Sequence, residues 1–460
     1  MFTALRKLFK EVRANEQGSM LFFVLIFGSL AFTLIVLGVA SYSIIETRAA
    51  RYKQNREMAF QIAEAGVNYY RWHLAHNKTD YQDGTGLPGP YVHAYTDKDG
   101  TTIGHYSLVI TPPASGSTVV TIASTGWLDV QPASRRTIKV RVGFPSLTDF
   151  ALLTGTDVWI GNSESTHGKF HSNGGIRFDG VGDAQITSAV PTYTCRSFHG
   201  CANVTKPGVW GAGSPSSLWS FPMPAQDFSA VTAKLSEIKT GAQAAGLYLS
   251  SSGKQGWRLQ FMNDGTVKAY KVTATNCYSG LDVNATTYQF YCIDVKTLGT
   301  PTTYAMPANG LIYVDDTVWV DGVVNGRATV GAATGKSIII NGNLTYLAKD
   351  GTNVLGLIAE QNVLIPRDIS ANLEINAALL AQNGGAKRYY YANNVKTNLI
   401  IYGSVISAGT WTWSWVDSYD TVISGFQTTS ATYDVDLTYN PPPGFPVGSE
   451  YNLISWEETL

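Results

Sequence analysis

Charge is scarce in this chain. Asp, Glu, Lys and Arg make up 15% of its 460 residues, and 33 basic against 34 acidic side chains leave a net charge of -1. A chain this balanced offers no general attraction to nucleic acid or acidic lipid, so neither is expected as a charge-driven partner. Cysteine is scarcer still, with Cys195, Cys201, Cys277 and Cys292 the only four. They fall in two local pairs without CxxC-like spacing, which counts against zinc and favours disulfides in an oxidising compartment. Connectivity cannot be read from sequence, but local bridges from Cys195 to Cys201 and from Cys277 to Cys292 would brace their loops. No GxSxG, Walker loop, HExxH or dinucleotide fingerprint is present, so the motif-based enzyme classes find no support and no cofactor or metal is expected. Proline is absent before Pro88, which leaves the first part of the chain free to be one helix.

What the beginning does have is a long uncharged run. From Gln17 to Ile45 no side chain carries a charge, and 29 residues of helix span roughly 43 Å against a hydrocarbon core of roughly 30 Å. That is longer than the apolar region of a cleavable signal peptide, about 7 to 15 residues. The helical pattern then continues past Glu46. Phe60, Ala63, Val67, Tyr70 and Leu74 recur at steps of three and four and predict one face of an amphipathic helix reaching about residue 75. Basic residues flank the apolar run on both sides, so orientation rests on the cysteines: if they are oxidised, the C-terminal body lies outside the cytoplasm.

A short basic leader ending in Gly18, then Ser19, an apolar helix and the phrase "RYKQNREMAFQIAEAGVNYYRW" together resemble type IV pilins, in particular minor pilins of the PilX N-terminal kind. The resemblance implies cleavage between Gly18 and Ser19 by a prepilin peptidase, methylation of the new N-terminus, residence in the membrane before assembly, and other pilins as partners of the helix. Phe23 stands where most major pilins carry a glutamate, the fifth position counted from Ser19. That departure resembles minor or tip pilins rather than the repeating subunit.

The rest of the chain is rich in Gly (45) and Tyr (25), with Val, Ile and Thr in short runs, and reads as mainly β. Residues 76–149 predict a small antiparallel module packed on helix 19–75. From 150 to 430 short strands are punctuated by Gly, Asn and Asp. Val318, Ile338, Leu357, Leu373 and Leu399 each have an apolar partner six residues later, at Val324, Leu344, Val363, Leu379 and Val405. This loose repeat predicts a parallel β-helix or similar solenoid, with a β-sandwich as the alternative. Segments such as "GKSIIINGNLTY" and "LEINAALLAQNGG" also resemble an extracytoplasmic domain that follows PilX-like helices, whose presumed fold is a right-handed β-helix. An insertion at about 187–308 is expected to hold the cysteines and a helix with Phe228, Val231, Leu235 and Ile238 on one face, and 431–460 reads as an extended tail.

Three constellations merit weighing for chemistry. Asp315, Asp316 and Asp321 are the carboxylates that a carbohydrate-cleaving β-helix would use, although Asp in Gly-rich turns usually bends backbone. His167, His171 and His199 are conceivable metal ligands, with surface polarity or strand stacking as the ordinary reading. Trp411, Trp413 and Trp415 alternate, so in a strand all three share a face. They are the candidate ligand or partner surface, for a glycan or a protein, unless they close the end of the solenoid. The expected function is a structural, non-enzymatic pilin-like subunit for adhesion or pilus assembly; the alternative is a membrane-anchored carbohydrate-binding or carbohydrate-cleaving β-helix protein.

Overall fold

The computed structural model describes residues 20–459 apart from 22, 115, 229–234, 284 and 449, together with the backbone of the helix and strand ends that adjoin them. Gly18, Ser19 and Val231, singled out above, lie outside the residues whose side chains are described. The chain is mainly β with one long N-terminal helix and forms two compact units.

The first unit comprises Met1–Thr111, Thr121–Arg141 and Ile454–Leu460. Its helix α1 runs over Phe2–His76 without a break. From Met20 to Ile45 the large apolar side chains are exposed on every side, and the stretch reaches a mean hydropathy of 2.6. Several hydroxyls in and just beyond this stretch are satisfied within the helix: Ser29, Thr33 and Thr47 each donate to a carbonyl of the preceding turn, at 2.7 to 2.9 Å, which lowers the cost of placing them in an apolar surrounding.

Past residue 58 the same helix becomes one-sided. Ala59, Ile62, Ala63, Val67, Tyr70 and Leu74 are buried against a five-stranded sheet ordered Tyr91–Thr96, Thr102–Thr111, Val119–Leu128, Gln131–Gly143 and Asn452–Thr459. Four of the five predicted positions are in this face. Phe60 sits at its margin, with its ring edge-on to Trp456 at 5.7 Å. The phrase "AFQIAEAG" has a steric reason. A Cβ placed on Gly126 would lie 2.3 Å from the Ala59 carbonyl oxygen, and one on Gly66 would lie 2.3 Å from Ser124 Oγ. Small residues on helix and sheet let the two backbones meet.

The second unit comprises Pro112–Val120 and Val142–Leu453, and its strands pair in parallel from rung to rung. One inward-facing ladder links Leu247, Ile312, Val330, Leu357, Leu379, Val405, Leu152, Phe170, Ile186 and Trp219 in unbroken succession. A second face stacks Trp257, Val318, Ile338, Val363 and Ala386, and separately Val158, Ile176 and Val209. A third carries Leu344, Ile375, Ile401, Ala431, Thr166 and Gly182. These are the pairings of a parallel β-solenoid. Corners are sharp where a strand passes between faces; at Gly322, φ is +108° and a Cβ would lie 2.1 Å from the Phe261 carbonyl oxygen, so only glycine fits.

The order along the coil is not the order along the chain. From Leu152 the chain winds to one end at Trp219, crosses through helix α2 (Thr232–Ala245), restarts at the far end with Leu247, and winds back until Val405 pairs with Leu152. The segment 187–308 is therefore not one excursion, as expected from sequence. It supplies end rungs at both extremities, a short hairpin of Thr192–Cys195 with Val204–Pro207, and the antiparallel strands Thr266–Gly280 and Gln289–Leu298. Nor is 431–460 a simple extended tail: Ala431–Tyr433 complete a rung of the coil, and Asn452–Thr459 is a sheet strand of the first unit. Leu235, Ile238 and Ala242 of α2 are buried over Tyr313, Ile358 and Leu380, outward-pointing residues of the first face, with Phe228 half-buried beside them.

Candidate functional site

A cleft of about 820 Å³ opens where the two stretches of coil meet. One wall comes from the outer side of strands Val158–Ile160 and Ile176–Phe178, the other from residues 410–422. On the first wall the register sets Trp159 beside Arg177, and Arg177 beside Trp210. The Arg177 guanidinium lies 4.1 Å from the Trp159 ring centroid, and its Nε is 2.7 Å from Asp179 Oδ2. Trp159 Nε1 donates to the same carboxylate at 2.9 Å, and Arg177 Nη1 donates to the His199 carbonyl at 2.9 Å. Arg177 thus has its charge paired with Asp179 and stacked on the Trp159 ring, with one further bond to the His199 carbonyl.

The loop 196–200 closes this side and is held by the disulfide Cys195–Cys201; the second disulfide is Cys277–Cys292. Both are the local pairings considered from sequence. His199 is buried, and burial, with Arg177 and Arg196 nearby, pushes its imidazole down to about 4. Glu164, also lining the cleft, is pushed the other way, up to about 7, by desolvation that one hydrogen bond from the Gly161 amide only partly offsets.

These two groups predict opposite pH dependences. Between about 4 and 6.5 the unfolded chain protonates His199 and the folded chain does not, so its contribution to stability is lost as pH falls through that window. Between 4.5 and about 7 the folded chain keeps a proton on Glu164 that the unfolded chain releases, so stability falls as pH rises through it. Glu164→Gln should flatten the second slope and raise the melting temperature of the solenoid unit at pH 8 by on the order of 2–4 °C, measured by calorimetry from pH 5 to 8. An unchanged slope would remove Glu164 from the account.

The tryptophan triplet is brought to the cleft but does not form an aromatic platform. Trp411 and Trp413 are 6% and 1% exposed and belong to the solenoid core, their rings edge-to-face at 5.9 Å. Trp415 is half-buried; its Nε1 donates to the Arg388 carbonyl at 3.1 Å and its ring meets Tyr390 at 5.8 Å. The other candidates are dispersed. Asp321 is held by Arg258 through two bonds of 2.7 and 2.8 Å, Asp316 accepts from Ser252 Oγ and the Thr317 amide, and Asp315 accepts from Tyr248. No pair of them is left free for acid and base roles. His167 bonds Asp183, His171 bonds Thr187 and Asn173, and His199 is enclosed by its own loop. Among the described residues no cluster of His, Cys, Asp and Glu is arranged to hold a metal ion.

Comparisons add little to this geometry. No family model and no curated protein matches the chain. Among solved structures, the competence-associated pilin ComZ from Thermus thermophilus aligns over 88% of this chain and 97% of its own, at 15% identity and a TM-score of 0.30. A likeness that slight carries no argument, and the functional reading rests on the chain itself.

Trp159, Arg177 and Asp179 are not among the positions that the sequence singles out. A signal was present: in "VWI" and "IRFD" the polar or aromatic residue alternates with core residues, which puts it on the outer side of a strand. Nothing in sequence said that the two strands are rung neighbours.

Proposed function

We propose that the chain is a pilin-like structural subunit of a type IV pilus or related filament, of the minor or tip class, and not an enzyme. One observation carries the reading. Helix α1 is bare and apolar all round from Met20 to Ile45, yet from Ala59 onward it is docked on a sheet of its own unit. A plain anchor needs only the first half. A helix that continues seamlessly into a folded head can leave lipid for a bundle of like helices, exchanging one apolar environment for another without exposing that face to water.

The subunit would sit in the membrane as a single span with its C-terminal body outside the cytoplasm, in keeping with two disulfides, and then pass to the filament. Its partners would be other pilins along α1 and a prepilin peptidase acting between Gly18 and Ser19. Phe23 in place of a glutamate favours the minor or tip class. The solenoid unit would present a surface for adhesion or assembly.

The test is the N-terminal mass of the mature protein from cells with and without the peptidase. A methylated Ser19 that depends on the peptidase is the expected result. An uncut Met1 in both strains would reject the pilin reading.

A further inference from the structure

We propose that the cleft at the seam of the solenoid binds an uncharged oligosaccharide. This goes beyond the filament reading and does not depend on it, since every residue involved belongs to the second unit.

The cleft's size is the first support. At about 820 Å³ it falls within the roughly 300–1,000 Å³ of small-molecule sites. Its chemistry is the second. Among the described residues the lining carries the carboxyl groups of Glu164, Asp179, Asp417 and Asp420 but a single cation, Arg177, whose charge is already paired with Asp179 and stacked on the Trp159 ring. An anionic ligand, whether a phosphate, a sulfated glycan or a nucleic acid, would meet acceptors and no free positive charge.

The spare capacity is for accepting hydrogen bonds. Asp417 uses Oδ1 to hold its own turn, accepting from the amides of Tyr419 and Thr421 at 2.8 and 3.0 Å, which leaves Oδ2 open. Glu164 uses Oε2 on the Gly161 amide, and its other oxygen, which holds a proton up to about 7, can both donate and accept. A ligand rich in hydroxyl donors matches these groups, and the half-buried indoles of Trp159 and Trp415 supply apolar surface for the C–H faces of sugar rings.

The cleft also has a fixed shape. Its two walls come from opposite stretches of the chain, joined where Val405 pairs with Leu152, and the disulfide Cys195–Cys201 pins the loop at its rim. Little ordering is left for the ligand to impose, which favours affinity.

The test is calorimetric titration of the full chain in a polyoxyethylene detergent, because a maltoside headgroup would itself be a glycan. The probes are a panel of neutral gluco-, galacto- and N-acetylglucosamine oligosaccharides, with heparin and spermine as charged competitors. At least one neutral oligosaccharide is expected to bind, heparin not to compete, and Asp417→Asn and Asp420→Asn each to weaken binding roughly tenfold with unchanged melting temperature. Asp420 is exposed and its one bond in the turn, to the Asp417 carbonyl, comes from its backbone amide, so its side-chain variant keeps the test valid should Asp417→Asn unfold. Saturation by spermine or heparin with no neutral glycan binding, or full affinity in both variants, would overturn the proposal.

Discussion

Gly126→Val should unfold the helix-and-sheet unit at temperatures where the solenoid unit stays intact. The new side chain would begin 2.3 Å from the Ala59 carbonyl oxygen and 2.4 Å from the Ala63 amide nitrogen. Both obstacles are helix backbone, so no rotamer change relieves them and α1 must lift from the sheet. Overpacking usually costs about 1–3 kcal/mol; with backbone on the receiving side the expected loss is about 3 kcal/mol or more. Lifting the helix would also strip contacts from Ile62, Val67 and Tyr70, which are at most 3% exposed, so the damage should spread along the docked half. Hydrogen exchange across 91–111 and 121–141, together with calorimetry, reads the effect. Gly28→Ala is the control: nothing lies within 4 Å of a Cβ there, and that change should leave the melting of the unit where it was. A variant at Gly126 that melts like the parent would mean the close approach does not exist in solution.

That contact shows what was legible in the sequence and what was not. The docked face was readable because a solitary helix on an antiparallel sheet buries one side only, and the spacing from Ala63 to Leu74 records it. The alternation in Val119–Leu128 is equally plain, each second residue being buried. The solenoid was harder. Its first face is covered on the outside by α2 and by Phe445, and its second by strands Thr266–Gly280 and Gln289–Leu298. A strand such as Val354–Ala359 is therefore buried at every position and shows no period of two.

The six-residue offset holds for some rungs only and mixes the faces, and Val324 pairs with Tyr346 rather than Leu344. Val318 does pair with Ile338, and Leu373 with Leu399, yet Leu357 belongs with Leu379 and Val405 on another side of the coil. The seam was beyond reach altogether, because pairing Val405 with Leu152 requires knowing that the chain leaves one end of the coil and re-enters at the other. With the seam went the cleft, whose walls lie some 250 residues apart in sequence, as Thr156 and Thr410 do at 3.2 Å.

Trp413→Ala should be the most damaging single change in the solenoid unit, and Trp415→Ala a mild one, although the two residues stand in the same alternating run. Trp413 is among the largest fully buried side chains and packs against Trp411, which borders a small void with Val158 and Phe170 at the seam. Removing a buried tryptophan costs about 3–5 kcal/mol because the surroundings close only part of the hole. In a solenoid each rung is stabilised by its neighbours alone, so a hole at the seam uncouples the rungs from Leu247 to Val405 from those between Leu152 and Trp219. Two calorimetric transitions should replace one. Trp415 is half-buried and loses one hydrogen bond and an edge contact, about 1 kcal/mol, with the single transition kept. Binding should divide the other way: Trp415→Ala should weaken a neutral oligosaccharide while the coil stays whole, whereas in Trp413→Ala any loss of binding should follow the loss of structure. Equal destabilisation by the two changes would return the triplet to a single role and remove the distinction between the wall of the cleft and the core behind it.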